Sequence, residues 1–446
     1  MRAKAGPSWI VALLIVASAL GGLLLLAGPV AAGSGCTVSV PHENGADNAL
    51  QTALNSAPIG ATVCVGAGVF PEQIAIKTAG LHLKGAGAGR TSIDPTTGVV
   101  DAVDYDNSQF PLVAIVQVDN VSGVTISGLT VNAGAAAASI AGCTPGIVGV
   151  DFQNVSSGTL TNSIVRNVEL SPALLGCQSQ TAVYVYTGYY GTAYTPTHAA
   201  VTISGTTITS YGKGGVVCDD PGLTCTVTGD RITGIGPTPA IASNGIQIAF
   251  GAVGLVRGDH VAGNDYTGAE STNDFYGNGW NAAGILLYQA GAGTRVQGTT
   301  DTGNQIGIVG YDDTSDTIQG NTVVNSYAYG IVEYGDVGFS AAIHGNRISN
   351  PTTGAVGILV ANGTFSVFGN TISGVSDSGT QGASQAITGS GTVYPSAPPT
   401  SIATAAIQAI SDGGPTVVYQ HTNTYRDDAA RTATAAVFGG TVTVAP

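Results

Sequence analysis

Short stretches in which apolar and polar residues alternate recur along most of this chain. One phrase reads apolar-x-Gly, then Asn, Asp or Thr, then x and an apolar residue, as in IQGNTVV at Gly320, IHGNRIS at Gly345 and VFGNTIS at Gly369. A period of two is typical of strands, and glycine followed by asparagine supplies a tight bend. From Gly298 onward the phrases are 22, 25 and 24 residues apart. The pattern predicts short strands joined by turns, with one coil per repeat.

A second phrase, Gly-Ile followed by strand-forming residues, interleaves with the first. It occurs at Gly245, Gly284, Gly307, Gly330 and Gly357. One such coil cannot bury its apolar side chains alone, whereas coils stacked about 4.8 Å apart can. A propeller blade needs about 40–50 residues, too many for this spacing. We therefore predict an all-β, right-handed parallel β-helix, with an inward apolar column formed by Ile246, Ile285, Ile308, Ile331 and Ile358.

The two ends of the chain suggest how the solenoid is organised. Residues 47–57 predict a short amphipathic helix with Leu50 and Leu54 on one face, suited to cap the N-terminal end of the core. We expect one domain over residues 33–446, with the cap at about 36–65 and coils at about 66–440. Residues 374–404 are rich in Ser, Gly, Thr and Pro and are expected to form an inserted loop.

The opening of the chain resembles the pectate-lyase-like superfamily. The resemblance is carried by the helix, by Gly68-Val69-Phe70-Pro71-Glu72, and by the following run LHLKGAGAGRTSI. It implies a right-handed parallel β-helix, but this fold hosts lyases, hydrolases, esterases, epimerases and inert surface proteins. The catalytic patterns of pectinesterases and polygalacturonases do not match this sequence. The resemblance therefore predicts the fold strongly and the chemistry weakly.

Residues 1–32 resemble a secretory signal peptide. Arg2 and Lys4 precede an apolar run, and Ala32 ends a small-residue cleavage pattern. We expect cleavage after Ala32 and a secreted or cell-surface protein; retention of this segment as a membrane anchor is the alternative. Six cysteines in an exported chain suggest disulfides. Proximity favours the pairs Cys36–Cys64, Cys143–Cys177 and Cys218–Cys225.

The charge balance limits the possible partners. The net charge is −14, and loss of the basic signal segment makes the mature chain more acidic still. An acidic surface repels nucleic acid. It is compatible with neutral glycans, with cations, or with acidic glycans bridged by cations. We expect no nucleic-acid partner and, after signal cleavage, no membrane partner.

Alignment of the Gly-Ile phrases places aromatic residues in one column. Tyr288, Tyr311 and Tyr334 fall four residues after successive glycines, and looser copies put Tyr186 and Asp219 in the same column. Trp280 lies in a long insertion just before this column. Tyrosine and tryptophan offer apolar rings with a polar edge, which suits sugar binding. The alternative is that the tyrosines only pack against one another.

Acidic residues accompany this column. Asp312, Asp313, Glu333 and Asp336 lie next to Tyr311 and Tyr334 in the chain, and we expect them to form a patch beside the tyrosines. Carboxylate oxygens are the ligands that calcium prefers, so calcium is the candidate cofactor. Solvated turn residues are the alternative.

Three functional interpretations follow from the sequence. The first is an exported β-helix protein that binds extracellular or cell-surface polysaccharide. The second is a polysaccharide lyase or related glycan-processing enzyme, which would need a base beside the acids. The third is a purely structural or ice-contacting solenoid, which would show a steady threonine column, and none is present.

Overall fold

The computed structural model describes most of the chain in twelve ranges. These are residues 35–42, 48–104, 110–188, 198–268, 281–313, 315–335, 338–349, 356–374, 405–411, 414–426, 432–436 and 441–445. The predicted signal peptide, Trp280, Asp336 and nearly all of the loop at 374–404 lie outside these ranges.

The described residues form three long sheets, which we call A, B and C, and each coil contributes one strand to each sheet in turn. Strands are numbered in chain order. Sheet A contains β1 Val38–Val40, β2 Thr62–Val65, β5 His82–Gly85, β9 Val124–Ser127, β12 Ser157–Thr161, β15 Ala199–Ser204, β18 Leu223–Thr228, β21 Val253–Arg257, β24 Thr294–Gln297, β27 Asp316–Gln319, β30 Ser340–His344, β33 Gly363–Phe368, β36 Thr416–His421 and β39 Val442–Ala445. Sheet B contains β3 Gly68–Phe70, β6 Thr91–Ile93, β10 Thr130–Asn132, β13 Ile164–Val168, β16 Thr207–Tyr211, β19 Arg231–Thr238, β22 His260–Tyr266, β25 Thr300–Thr302, β28 Thr322–Val324, β31 Arg347–Ser349, β34 Thr371–Ser373 and β37 Thr424–Arg426.

Sheet C carries the candidate functional surface. It contains β4 Ile74–Ile76, β8 Phe110–Asp119, β11 Gly146–Gln153, β14 Gln180–Tyr186, β17 Gly214–Asp219, β20 Asn244–Ala249, β23 Ala283–Tyr288, β26 Ile306–Tyr311, β29 Tyr329–Tyr334, β32 Val356–Ala361, β35 Ala405–Ser411 and β38 Thr432–Ala436. The short strand β7, Ala102–Asp104, pairs antiparallel with β8. All other pairings are parallel, which confirms the predicted parallel β-helix.

The apolar core runs along the inside of the coils. The predicted isoleucine column is confirmed: Ile246, Ile285, Ile308, Ile331 and Ile358 are consecutive register partners, and all are fully buried. Because side chains alternate between the two faces of a strand, the residues next to these isoleucines point outward. This alternation determines which residues of sheet C are available at the surface.

The predicted N-terminal helix is present as α1, Ala49–Ser56, and buries Leu50 and Leu54. The Glu72 carboxylate accepts hydrogen bonds from the backbone N–H groups of Leu50 and Gln51, each at 2.9 Å. The motif that carried the family resemblance therefore anchors the capping helix, whose first N–H groups have no partner within the helix. A second helix, α2, spans Gly134–Ser139.

The six cysteines form three disulfides: Cys36–Cys64, Cys143–Cys177 and Cys218–Cys225. Disulfides are typical of proteins folded in an oxidising compartment. Within the described ranges, neither helix is long and apolar enough to cross a membrane.

The glycine phrase of the repeat forms the corner between sheets A and B. Its glycines are in the left-handed region, as at Gly320, where φ is 64°. The next residue stacks on its counterpart in the following coil. We call the late part of this column the asparagine ladder; it comprises Asn321, Asn346, Asn370 and Asn423. In the ladder, each amide Nδ2 donates to the Oδ1 of the next asparagine at 3.0 Å.

Candidate functional site

Three tyrosines stack on the outer face of sheet C, and we call them the tyrosine ladder. Tyr288, Tyr311 and Tyr334 are register partners on β23, β26 and β29. Their ring centroids are 5.5 and 5.1 Å apart, with interplanar angles of 3° and 12°. The column also contains Tyr186 and Asp219, as the alignment of the phrases predicted.

The ladder borders a cavity of about 180 Å³. Leu286 and Val309 contribute apolar surface to this cavity, and Asn244 and Asn281 contribute polar groups. The other lining residues are Ala283, Tyr288, Ile306 and Tyr311. Both faces of the Tyr311 ring are covered by its neighbours in the stack. Tyr311 therefore offers a ring edge to the cavity and not an open ring face.

A second cavity, of about 160 Å³, lies on the same outer face over earlier coils. It is lined by Tyr184, Lys213, Asp219, Gln247, Gln178, Ser179, Thr181, Leu112, Val148 and Val217. The Tyr184 and Tyr186 rings stack at 4.3 Å, and the Tyr186 hydroxyl donates to the Val103 carbonyl of β7 at 2.8 Å. Both cavities include residues of β20, so they follow one another along the helix axis.

Lys213 is the basic residue of the second cavity, and sequence analysis did not identify it. It lies at the corner before β17, where its Nζ donates to the Ala242 carbonyl at 2.7 Å. Burial lowers the pKa of Lys213 to about 8. A lysine in this state can act as a proton acceptor near neutral pH. No motif marked this residue, because its partners come from separate coils.

Five other basic residues of the coils lie on different sheets. Arg257, Arg295 and His344 are on sheet A, whereas His260 and Arg347 are on sheet B. The His344 ring stacks on Phe368 with centroids 4.7 Å apart. None of these five residues belongs to a strand of sheet C.

The predicted acidic patch is not found on the surface beside the tyrosines, because Glu333 faces the core. Glu333 precedes Tyr334 in the same strand, so it faces the opposite way, into the core, where it is fully buried. There it meets Asp313 and Asp316; one carboxylate oxygen from each of the three lies within 4.8 Å of the others. We call these three residues the carboxylate cluster. Asp316, the first residue of β27, was not predicted.

The remaining two predicted metal ligands are not part of this cluster. Asp312 is half-buried in the turn after β26, has a φ of 53°, and its backbone N–H donates to the Tyr334 carbonyl at 2.9 Å. Asp336 lies outside the described residues, as does Trp280, the predicted sugar contact. Of the four predicted ligands, Asp313 and Glu333 belong to the carboxylate cluster, and Glu333 lies on the opposite side of its strand from Tyr334.

The electrostatics of the cluster are dominated by desolvation. Burial raises the pKa of Glu333 well above its usual range, and the charges of Asp316 and Asp313 raise it further. The pKa of Asp313 is raised first by burial and then by the charge of Asp316. The pKa of Asp316 is raised by burial. Three carboxylates this close cannot all be ionised without a compensating cation. The cluster is therefore a possible acidic metal site in the corner between sheets C and A.

Comparisons with known proteins were made for sequence and for structure. A family model described as periplasmic copper-binding protein (NosD) matches residues 256–386. No curated protein sequence shows significant similarity to the chain. Among solved structures, the A-module of the Azotobacter vinelandii mannuronan C-5 epimerase AlgE4 is similar at 14% identity with a TM-score of 0.53, covering 90% of this chain and 95% of the module.

Two further solved structures are less similar. A variant of the periplasmic alginate epimerase AlgG has 13% identity and a TM-score of 0.44, covering 86% of this chain and 77% of its own. The catalytic domain of a GH87 alpha-1,3-glucanase variant, in complex with tetrasaccharides, has 15% identity and a TM-score of 0.48, covering 92% and 68%. At these identities the likeness concerns the fold. The chain accordingly has a parallel β-helix fold similar to that of the AlgE4 A-module, and no catalytic family is assigned to it.

Proposed function

We propose that this chain binds a polysaccharide along the outer face of sheet C. The observation that carries the proposal is the tyrosine ladder in register beside an apolar-floored cavity. Neighbouring strands are about 4.8 Å apart, so the surface from β14 to β26 extends about 19 Å along the helix axis. An elongated surface of this kind suits a linear chain of sugar rings, which presents both apolar ring faces and hydroxyls.

The direct test is glycan affinity after substitution within the ladder. We expect Tyr311→Ala to weaken binding at least about tenfold, equivalent to 1.4 kcal/mol, because it removes a ring edge and a hydroxyl from the cavity. Tyr311→Phe keeps the stack and should retain part of the affinity. The probes are mannuronan, polygalacturonate and alpha-1,3-glucan, measured by calorimetry against the full chain.

Tyr419→Ala is the matched control. Tyr419 is 48% exposed on sheet A, remote from the ladder, so its loss should leave affinity unchanged. If Tyr311→Ala binds all probes as the unaltered protein does, the tyrosines only pack against each other. If no probe binds the unaltered protein, the polysaccharide proposal itself fails for these glycans.

Lys213 supports a second candidate function, that of a polysaccharide lyase or related glycan-processing enzyme. A half-buried lysine and an acid line one cavity, which is the combination that proton abstraction beside a uronate carboxylate needs. Unsaturated products from polyuronates, with and without calcium, would be detected by ultraviolet absorbance. We expect a rate that rises with pH up to about 8, since the neutral amine is the base.

The corresponding variant is Lys213→Met, with exposed Lys84→Met as its control. Loss of a general base lowers rates about 10²- to 10⁴-fold, so the Lys213 variant should fall by at least about a hundredfold. Absence of product from every polyuronate excludes the lyase for these substrates and leaves binding as the function.

The cofactor we propose is calcium, not copper. The carboxylate cluster offers only oxygen ligands, which suit hard cations, whereas copper favours imidazole or sulfur. All six cysteines are in disulfides and offer no thiolate. The copper in the description of the matching family model is therefore not supported by this donor set.

We also propose that the mature chain is exported and acts outside the cytoplasm. Three disulfides and the signal-like sequence before Ala32 support this location. N-terminal sequencing of the protein recovered from the medium or the cell surface tests it. A mature N-terminus at Gly33 is expected, whereas an intact Met1 would favour the retained anchor.

A further inference from the structure

We infer that the carboxylate cluster, Asp313, Asp316 and Glu333, is a divalent-cation site built into the β-helix core beneath the tyrosine ladder. This deepens the calcium proposal by naming the ligands and their place. It does not depend on glycan binding. The role we assign to the ion is structural, since it would join two successive coils: Asp313 and Asp316 belong to one and Glu333 to the next.

The first argument is that the cluster contains buried oxygens with no hydrogen-bond partner among the described residues. Glu333 is 0% exposed and Asp316 4%, and no N–H group of the described residues donates to either carboxylate. The one hydrogen bond open to Asp316 is a proton shared with Asp313, another member of the cluster. Only one oxygen of Asp313 has a donor, the Ala290 backbone N–H at 2.6 Å. Buried carboxylates are normally paired, hydrogen-bonded or bound to metal.

Another buried carboxylate of the chain shows how such a group is usually satisfied. The buried side chain of Glu72 accepts two backbone N–H groups of α1. Among the residues that the structure describes, no comparable donors meet the carboxylate of Glu333. Its oxygens instead point toward two other carboxylates, an arrangement that only protons or a cation can stabilise.

The second argument is that the chain leaves room for this carboxylate. Along the inner column of sheet C, Leu287 is followed by Gly310, Glu333 and Val360. A Cβ atom at Gly310 would collide with the Glu333 carboxylate. The apolar side chain expected at this inward position is therefore absent, and the carboxylate occupies the space.

The third argument is the match in size and chemistry. Calcium binds oxygens at about 2.3–2.6 Å, so oxygens on opposite sides of one ion are roughly 5 Å apart. The three donor oxygens lie within 4.8 Å of one another, a separation that a single ion can span. Coordination needs six to eight oxygens, so backbone carbonyls or water would complete the shell.

The experiment uses the full mature protein, stripped with EDTA and titrated with calcium alone. Calorimetry should give one tight ion per chain, and the Tm should rise by a few degrees, because a ligand that binds only the native state stabilises it. Glu333→Gln should abolish both responses, and so should Asp316→Asn. Asp301→Asn is the matched control, since Asp301 is a fully buried acid on sheet B outside the cluster.

Each outcome decides the matter. If calcium neither binds to the unaltered protein nor raises its Tm, the inference is wrong. Full calcium binding by the Glu333 variant would also contradict it. Loss of the calcium response in the Asp301 variant would also overturn it. Replacement of any buried acid would then abolish the response, and the effect would not be specific to the carboxylate cluster. If the Glu333 variant does not fold, the Asp316 variant supplies the same test. Glycan affinity measured in parallel separates a failed cation site from a failed polysaccharide site.

Discussion

Two corners of the same coils bury polar side chains in opposite ways. At the corner between sheets A and B, every amide of the asparagine ladder is paired: Asn346 accepts from Asn321 and donates to Asn370 and to the Ile318 carbonyl, all at 3.0 Å. At the corner between sheets C and A, the carboxylate cluster leaves five oxygens without partners among the described residues. The first corner is complete, whereas the second requires protons or an ion.

The comparison distinguishes architecture from function. A repeating polar residue whose donors and acceptors match those of its counterpart in the next coil needs nothing beyond the fold. A polar group that interrupts an apolar column without a donor costs free energy in the folded state. Substitution should therefore have opposite effects on stability at the two corners.

The largest effect should come from breaking the asparagine ladder. Asn346→Ala removes the partner of the Asn321 backbone N–H and of the Ile318 carbonyl, and it leaves the Asn321 side-chain amide with the Val296 carbonyl alone. Each unsatisfied buried group costs about 1–3 kcal/mol, so we expect a loss of about 3 kcal/mol in the free energy of unfolding. Denaturant unfolding measures it, and Gln319→Ala, an exposed position in the preceding coil, should cost less than about 0.5 kcal/mol.

The opposite sign is expected at the carboxylate cluster. In calcium-free buffer, Glu333→Leu should raise the free energy of unfolding by about 1–2 kcal/mol, because an apolar side chain of similar size replaces a desolvated acid. Saturating calcium should reverse the order by stabilising only the unaltered protein. A Glu333→Leu protein that is less stable even without calcium would show that the cluster is self-sufficient, like the asparagine ladder.

Much of the fold could be predicted because the repeat is local and regular. Alignment of the Gly-Ile phrases alone placed Tyr288, Tyr311 and Tyr334 in register. A one-residue shift would have turned every isoleucine of the core column outward, so the pattern specifies the register. Because successive coils repeat the same geometry, the position of a residue in one coil determines where its counterpart in the next coil lies.

The site was predicted less completely because proximity in sequence is not the same as a shared face. Glu333 was grouped with Tyr334 although adjacent strand residues face opposite ways. The same rule identifies Asp316, which faces inward with Ile318 two residues later. Lys213 had no such signal, since its cavity is assembled from side chains of several coils.

A pH-dependent effect should come from an early rung of the first corner, where acids replace asparagine. Asp259 is buried and accepts hydrogen bonds from the backbone N–H groups of Asp230 and Arg257, at 2.8 and 3.1 Å. Burial raises the pKa values of Asp259 and Asp230 to about 7, and the charge of Asp259 further raises that of Asp230. Thr299, the next residue of the column, is neutral and offers its hydroxyl to the Asp259 N–H at 3.4 Å.

A raised pKa in the folded state means that the acid favours folding only when protonated. This contribution is fully present below the unfolded pKa of about 4, and it is lost as pH rises through about 7. Asp259→Asn replaces the acid with the residue that the asparagine ladder uses. A pKa that rises from about 4 to about 7 on folding corresponds to at most about 4 kcal/mol. The variant should therefore gain stability relative to the unaltered protein between pH 4 and pH 8, by no more than that amount.

Unfolding curves for the Asp259 variant and the unaltered protein at pH 4, 6 and 8 measure this difference. Asp94→Asn provides a comparison at an acid outside the column. A stability difference that stays constant from pH 4 to 8 would mean that Asp259 keeps its charge in the core. The two hydrogen bonds from Asp230 and Arg257 would then suffice to hold an anion, and the acidic rung would be as complete as the asparagine ladder.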